Sequence, residues 1–299
     1  MQGSAWILFT LIAASAQTAR NAMQRGLIGT LGAVGATHVR FIFGLPFAVL
    51  FLVGVRLWTG TALPHLGPVP LGWTAFGAAA QFAATALMLM TMRDRSFVIS
   101  TAYIKTEPVQ VALFALLALG ERPRPLTLVA IVVATLGVMI VSWPKRSAMA
   151  DGPTQSWQSV GTGLVAGGLF ALSAVGYRGA ILGLTDTSWL TAATVILVAS
   201  LTIHTVVLAS ALALFDRPVM LAILRQWRPS LLAGFMGALA SQFWFLAFAL
   251  ADAAPVRTLG LVEVVLAGLV SRRLGQRTAG RDVAGMAIIV AGVCLLLNA

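Results

Sequence analysis

A lysine, a glutamate and a proline stand within four positions of one apolar stretch. Residues 102–119 read AYIKTEPVQVALFALLAL, so that Lys105 and Glu107 place charges of both signs next to Pro108. An ammonium group can hold a carboxylate, and a carboxylate can hold an ammonium group. Together these side chains have the chemistry to bind a small zwitterion.

Lys105 and Glu107 need different partners. Residues two apart on a regular helix point roughly 200° from each other, so the two side chains do not satisfy one another. Both lie about ten residues into an apolar run, too deep to reach the membrane surface easily. Two interpretations stay open: ligands for a solute, or interhelical ion pairs of Lys105 with Glu263 and of Glu107 with Arg40 or Arg20.

Pro108 predicts a local opening of the helix. Proline has no amide hydrogen, so the carbonyl of Ile104 loses its helical hydrogen bond. A broken helix beside fixed charges is a common way in which secondary transporters build a substrate site.

Composition places the chain in a membrane. Of its 299 residues, 59% are hydrophobic and 10% are charged, and the mean hydropathy is +0.93. A helix needs roughly 20 apolar residues to cross the bilayer, so this length predicts about ten spans and no separate soluble domain. The net charge of +11 comes from arginines in short loops, where they set topology, so no nucleic-acid partner is expected.

The motifs argue against an enzyme and against a cofactor. Cys294 is the single cysteine, and His38, His65 and His204 are too scattered to suggest a metal site. The sequence has no Gly-Lys-Ser/Thr loop of the kind that binds ATP. We expect no cofactor, no metal and no ATP hydrolysis.

Ten apolar segments separated by Gly, Pro and Arg predict an all-α fold of ten transmembrane helices. The predicted spans are 3–24, 33–55, 70–92, 96–119, 125–143, 160–183, 188–214, 230–251, 254–274 and 282–298.

An internal repeat divides the chain. GERPRPLTLVAIVVATLGVM from Gly120 aligns with GQRTAGRDVAGMAIIVAGVC from Gly275, so that Gly137 matches Gly292. Residues 1–150 and 151–299 are thus predicted to form two five-helix repeats. Because five is an odd number, the second repeat is inverted relative to the first.

The motifs resemble the EamA-type repeat of the drug/metabolite transporter superfamily. The resemblance rests on Glu107-Pro108 and Gly120-Glu121-Arg122, followed by a Gly-rich fifth helix. The second half departs from it, with Glu263-Val264 and Gly275-Gln276-Arg277 at the corresponding places. The resemblance implies a ten-helix secondary transporter in the inner membrane, with a central cavity between the halves, often exporting amino acids or related metabolites.

Loop charges predict the orientation. By the positive-inside rule, the basic residues in alternate loops put both termini outside the cell. Members of the EamA-type family, which the sequence resembles, are instead often drawn with their termini inside. The set predicted to be cytoplasmic comprises Arg25, Arg93, Arg95, Lys145, Arg146, Arg217, Arg225, Arg228, Arg272, Arg273, Arg277 and Arg281, and the opposite set comprises Arg56, Arg122 and Arg124.

The remaining basic residues lie inside predicted spans. Arg20, Arg40 and Arg178 could bind a solute or reach the membrane surface, and Arg257 is expected to reach the surface. Trp244 is the best candidate for an aromatic wall of the cavity. The complete predicted substrate-binding set is Arg20, Arg40, Gln81, Tyr103, Lys105, Glu107, Arg178, Gln242, Trp244 and Glu263.

The leading hypothesis is a secondary-active exporter of a small zwitterionic metabolite, above all an amino acid, that works by alternating access. Its partners are the solute and the lipid bilayer. One alternative is a proton-coupled exporter of cationic drugs or other metabolites, with Glu107 as the exchanging acid. A further alternative is an intramembrane enzyme or lipid-handling scaffold, for which no nucleophile, base or metal cluster stands out at depth.

Overall fold

The computed structural model describes residues 4–92, 103–142, 157–273 and 280–299. Within these ranges the regular structure is helical, and no strand occurs. We number the helices α1 (Ala5–Ile42), α2 (Leu45–Thr59), α3 (Pro68–Met92), α4 (Glu107–Leu119), α5 (Pro125–Ser142), α6 (Trp157–Leu182), α7 (Trp189–Phe215), α8 (Arg217–Arg225), α9 (Trp227–Leu250), α10 (Ala253–Leu259), α11 (Val262–Arg273) and α12 (Gly280–Leu297).

A single glycine folds α1 back on itself. Gly32 has φ 68° and ψ 172°, a conformation that is essentially open to glycine alone. The side-chain amide of Gln24 donates to the carbonyl of Ala36 at 2.7 Å. Twelve residues of straight helix would rise about 18 Å, so this hydrogen bond requires a sharp bend. The first two predicted spans therefore meet at one residue.

Six of the described segments are long and apolar enough to cross a membrane. They are Val34–Thr59, Pro125–Ser142, Val160–Leu182, Trp189–Phe215, Trp227–Leu250 and Gly280–Leu297. Large apolar side chains such as Leu50, Leu57 and Leu117 point outward on these and neighbouring helices. An apolar outer surface of this kind is suited to contact with lipid tails.

One compact unit comprises residues 1–78 and 176–251. In it α1 packs along α9, and α7 packs against α2 and α9. Close approach depends on small residues, because a Cβ added to Gly234 would lie 2.5 Å from the Cβ of Phe43. The short helix α8 buries Ile223 in a core shared with α1 and α7.

The second compact unit comprises residues 79–175 and 252–299. Its main contact pairs α5 with α12. A Cβ on Gly137 would lie 2.7 Å from the backbone nitrogen of Ile289, and one on Gly292 would lie 2.5 Å from that of Ala134. The two contacts are reciprocal, because an offset of 155 converts Gly137 into Gly292 and Ala134 into Ile289.

This reciprocity is the arrangement that an internal two-fold repeat would produce. Each compact unit contains helices from both halves of the sequence. This is possible because a compact unit reflects which helices pack together in space, whereas a repeat reflects their order along the chain. The repeats 1–150 and 151–299, and the count of ten spans, stay predictions.

The structure corrects several predicted boundaries. Residues 25–31, expected in a loop, continue the helix until Gly32 ends it. The short helix α8 occupies the predicted loop between the seventh and eighth spans, and Asp216 caps it by accepting from the amide of Val219. The fourth and ninth spans are each interrupted, and residues 96–102 of the fourth lie outside the described ranges.

Candidate functional site

The fourth span is interrupted at Lys105 and Thr106, as Pro108 predicts. A turn separates Tyr103 and Ile104 from α4, and Pro108 occupies the first turn of that helix. The Thr106 hydroxyl donates to the carbonyl of Tyr103 at 2.7 Å, which replaces one of the lost helical bonds. Glu107 begins the new helix, where the helix dipole favours a negative charge by about 0.3–1 kcal/mol.

The ninth span is interrupted in the same way without a proline. Gly260 and Leu261 form the turn between α10 and α11. Glu263 then lies in the first turn of α11. Its backbone amide donates to the carbonyl of Gly260 at 3.0 Å. Both glutamates therefore occupy the first turn after a break.

Lys105 pairs with Glu263. The Nζ of Lys105 donates to Oε1 of Glu263 at 3.0 Å, across 158 residues of sequence. The lysine thus links the break in the fourth span to the start of α11. This contact is the interhelical ion pair that was one of the two interpretations open from the sequence.

Glu107 pairs with Arg257. The Nη2 of Arg257 donates to Oε2 of Glu107 at 2.8 Å and lies 2.6 Å from Oε1. The prediction of Arg40 or Arg20 as the partner of Glu107 was therefore wrong. The expectation that Arg257 reaches the membrane surface was also wrong, because α10 directs its guanidinium toward α4. The sequence did contain a sign that Arg257 lies near the other charges, because this arginine stands only six residues before Glu263 in the same predicted span.

The two ion pairs are crossed and partly exposed. Each glutamate binds a cation from the other interrupted span, so the four charges cancel. The side chains of Lys105 and Arg257 are 27% and 23% exposed. A charge directed at lipid tails would cost several kcal/mol, so we expect these exposed faces to contact water.

The Gly120-Glu121 motif has a structural role in the same unit. Gly120 ends α4 with φ 70°, and its missing side chain makes this left-handed conformation accessible. The carboxylate of Glu121 accepts from the backbone amide of Ala253 at 3.0 Å, at the start of α10. The corresponding residues Gly275-Gln276-Arg277 lie outside the described ranges.

The other compact unit holds five of the predicted binding residues. Arg20, Arg178, Gln242 and Trp244 are each less than a tenth exposed, and Arg40 is intermediate. Arg178 donates to the carbonyl of Phe248, which links the end of α6 to α9. The Trp244 indole donates to the side-chain oxygen of Gln17 at 3.2 Å, and Gln242 donates to the hydroxyl of Thr194 at 2.9 Å.

These contacts hold α9 against α1, α6 and α7. The binding role predicted for Arg178, Gln242 and Trp244 stays a prediction, and the contacts give each of them a packing role as well. Gln81 and Tyr103 are half-buried members of the other unit, together with Lys105, Glu107 and Glu263.

Gln110 also contacts the interrupted fourth span. Its side-chain amide donates to the Thr106 hydroxyl at 2.9 Å and to the carbonyl of Leu164 at 3.3 Å. Its side-chain oxygen would lie 2.7 Å from a Cβ added to Gly168. Gln110 therefore connects α4 to α6 directly behind the break.

In the part of the chain that the structure describes, no group of three His, Cys, Asp or Glu side chains could hold a metal ion. The breaks themselves bring together ammonium, guanidinium and carboxylate groups in two ion pairs.

Apolar helices with partly buried charges at helix breaks define a multi-pass membrane protein. Residues 4–143, a little less than half of the chain, match the EamA-like transporter family, so this part of the chain is similar to that family. A crystal structure described only as that of a protein superposes with a TM-score of 0.72 at 16% identity, over 98% of this chain and 96% of that one. At this identity the likeness shows the fold alone. None of the curated proteins compared with the chain matches it.

Proposed function

We propose that the chain is a secondary-active transporter of the inner membrane that exports a small zwitterionic metabolite, above all an amino acid. Transport would proceed by alternating access between two inverted five-helix halves. The observation that carries the proposal is the pair of crossed, partly exposed ion pairs at two helix breaks. The similarity of residues 4–143 to the EamA-like transporter family supports it.

The crossed pairs are suited to exchange with a zwitterion. The ammonium group of the solute can replace Lys105 as the partner of Glu263. The carboxylate of the solute then forms an ion pair with the released lysine. Every charge then keeps a partner, so the exchange avoids the several kcal/mol that an isolated buried ion would cost. Breaks at Lys105-Thr106 and Gly260-Leu261 supply backbone that can move with the side chains.

A proton-coupled exporter of cationic drugs is the alternative. Glu107 and Glu263 are carboxylates that a cation could approach, and a proton could compete for the same sites. A proton carrier must become neutral in each cycle, and neutral Glu107 would give up its ion pair with Arg257. The pair therefore favours a binding or gating role for Glu107.

The test is uptake into liposomes that contain the purified full chain. Labelled amino acids, organic cations and neutral sugars would each be offered with and without a pH gradient. We expect counterflow of at least one amino acid without a gradient. Empty liposomes and liposomes with the Arg257→Gln variant serve as controls, because that variant leaves Glu107 without its cation.

Three results would contradict the proposal. Transport of organic cations alone, driven by a pH gradient, would establish the drug-exporter alternative. Chemical alteration of an added solute or lipid would establish an intramembrane enzyme. Folded protein that passes none of the labelled solutes would exclude amino acids as its substrates.

A further inference from the structure

The short helix α8 joins two segments that are each long and apolar enough to cross a membrane. α7 ends at Phe215 and α9 begins at Trp227, so the nine residues of α8 lie where the two segments reach the same membrane surface. Phe215 is 88% exposed, and Trp227 is exposed as well. Aromatic side chains at the ends of membrane-crossing helices commonly lie at the level of the lipid headgroups. This connection is therefore placed at the membrane interface.

One face of α8 is held against its own compact unit. Ile223 is fully buried, and Val219 and Met220 pack against the same core. A Cβ added to Gly35 of α1 would lie 3.3 Å from Cγ1 of Val219, so α8 approaches α1 closely. Asp216 caps the helix by accepting from the backbone amide of Val219. Packing and capping together fix which face of α8 points outward.

The outward face combines arginines with leucines. Arg217, Leu221 and Arg225 are four residues apart and therefore share one side of the helix, and all three are exposed. Leu224 is exposed beside them. Leucine avoids water and arginine avoids lipid tails, so such a face suits the boundary at which lipid headgroups meet their acyl chains.

No carboxylate among the described residues pairs with the arginines of this surface. Arg217 donates from Nε to the carbonyl of Ala213 at 3.1 Å, which leaves its terminal nitrogens as donors. The Arg228 guanidinium lies 5.4 Å from the centre of the Trp227 ring, which is a neutral partner. Asp216, the one acidic residue of this connection, uses its carboxylate to cap α8. The surface is thus positively charged, and its guanidinium groups can bind an anion.

Membrane topology alone does not account for this surface. The positive-inside rule requires basic residues in the connection, and the three arginines belong to the set predicted to be cytoplasmic. The rule does not require a helix docked on the protein, nor exposed leucines between the charges. The cytoplasmic leaflet carries anionic lipids, whose phosphate groups attract arginines and whose chains can cover leucines. Both the charge and the apolar area of this face match such lipids.

We propose that the outward face of α8 and the start of α9 form a binding site for anionic phospholipids. Arg217, Arg225 and Arg228 bind the headgroup phosphates, and Leu221 and Leu224 contact the acyl chains. The bound lipids anchor α8 at the membrane surface and thereby stabilise the connection between α7 and α9. The site lies within a single compact unit and does not depend on which solute the protein transports.

The test measures lipid binding to the purified full chain in a neutral detergent. Phosphatidylglycerol, phosphatidylcholine and inorganic phosphate would be added separately. The readouts are the lipids retained in native mass spectrometry and the shift of the thermal unfolding midpoint. We expect phosphatidylglycerol to bind about tenfold or more tightly than phosphatidylcholine, and to raise the midpoint further. This preference should fall as the salt concentration rises, because mobile ions screen exposed charges.

Charge and apolar area would be removed separately, at exposed positions whose substitution should leave the fold intact. The double variant Arg225→Gln/Arg228→Gln should bind phosphatidylglycerol about 25-fold more weakly, since each basic residue near an anionic surface contributes about fivefold. Leu221→Gln should weaken the binding of both lipids and keep the preference between them. The matched control is Arg56→Gln/Arg122→Gln, which removes two exposed arginines elsewhere and should bind as the wild type does.

Each result supports or overturns the site. Equal binding of phosphatidylglycerol by the wild type and by Arg225→Gln/Arg228→Gln would overturn the proposal, as would equal binding of the two lipids by the wild type. An equal loss in the control Arg56→Gln/Arg122→Gln would show that overall charge, rather than α8, attracts the lipid. Stabilisation by inorganic phosphate as strong as that by phosphatidylglycerol would replace the lipid with a free anion.

Discussion

Lys105 and Glu263 stand 158 residues apart in the chain, and their charged atoms lie 3.0 Å apart. Lys105 occupies the break of one interrupted span, and Glu263 lies in the first turn after the break of another. A substitution of either side chain therefore affects the structure at both breaks. The pair is therefore the most direct place to test whether these charges stabilise the fold, take part in transport, or do both.

Reversing the Lys105–Glu263 pair should rescue what each single change damages. Lys105→Glu and Glu263→Lys each put like charges together and should lower the thermal unfolding midpoint and abolish transport. The double variant restores opposite charges and should recover most of the midpoint. The loss in each single variant should not exceed the about 3–5 kcal/mol typical of a fully buried pair, because both side chains are partly exposed.

Transport by the double variant discriminates between roles. Recovery of both folding and transport would show that the ion pair alone matters. If folding recovers and transport does not, the identity of the side chains at these positions matters to the solute. Failure of the double variant to recover its midpoint would contradict the pairing itself.

Glu107→Gln should impair transport with and without a proton gradient. The amide cannot balance the charge of Arg257, so both solute exchange and gradient-driven flux should fall about tenfold or more. Flux would be measured in proteoliposomes over a range of pH. Preserved exchange with abolished gradient-driven flux would instead identify Glu107 as a proton carrier.

Alanine at either glycine of the α5–α12 contact should be destabilising. A Cβ at Gly137 or Gly292 would lie within 2.9 Å of neighbouring backbone atoms, so the helices must separate, at a cost of about 1–3 kcal/mol. Gly161→Ala, in a helix of the same unit and with no atom within 4 Å, is the matched control. Its unfolding midpoint should stay level or rise, and equal losses in all three variants would contradict the packing argument.

The bend in α1 should depend on Gly32. Gly32→Ala places a side chain on φ 68° and should cost about 1–3 kcal/mol. Gly29→Ala, one turn earlier in a helical conformation, should instead stabilise the chain by up to about 1 kcal/mol. Neither new methyl group would contact another residue, so the comparison isolates backbone strain. Similar midpoints for the two variants would mean that the bend does not need a glycine.

Loop charges predict that the C-terminus faces away from the cytoplasm. A reporter that is active only in the cytoplasm, fused after Ala299, should be silent, and the same reporter inserted after Arg225 should be active. A bright fusion at Ala299 and a silent one at Arg225 would reverse the orientation. It would leave the predicted number of spans unchanged.

The sequence by itself determined the class of protein and the place of one break. Apolar segments of membrane length force the backbone to satisfy its own hydrogen bonds, so helices follow from composition. Pro108 cannot donate a hydrogen bond, so the interruption near Lys105 was readable from the residue itself. The repeated glycines Gly137 and Gly292 were also visible as a pair, because small residues mark close helix contacts.

Tertiary structure decided which charges meet. Glu107 could have paired with any deep cation, and its actual partner, Arg257, depends on how α10 packs against α4. The break at Gly260-Leu261 contains no proline, so only the folded backbone revealed it. Local sequence fixes backbone hydrogen bonding because that bonding acts over a few residues. An ion pair across 150 residues is selected instead by the packing of whole helices, which no single segment encodes.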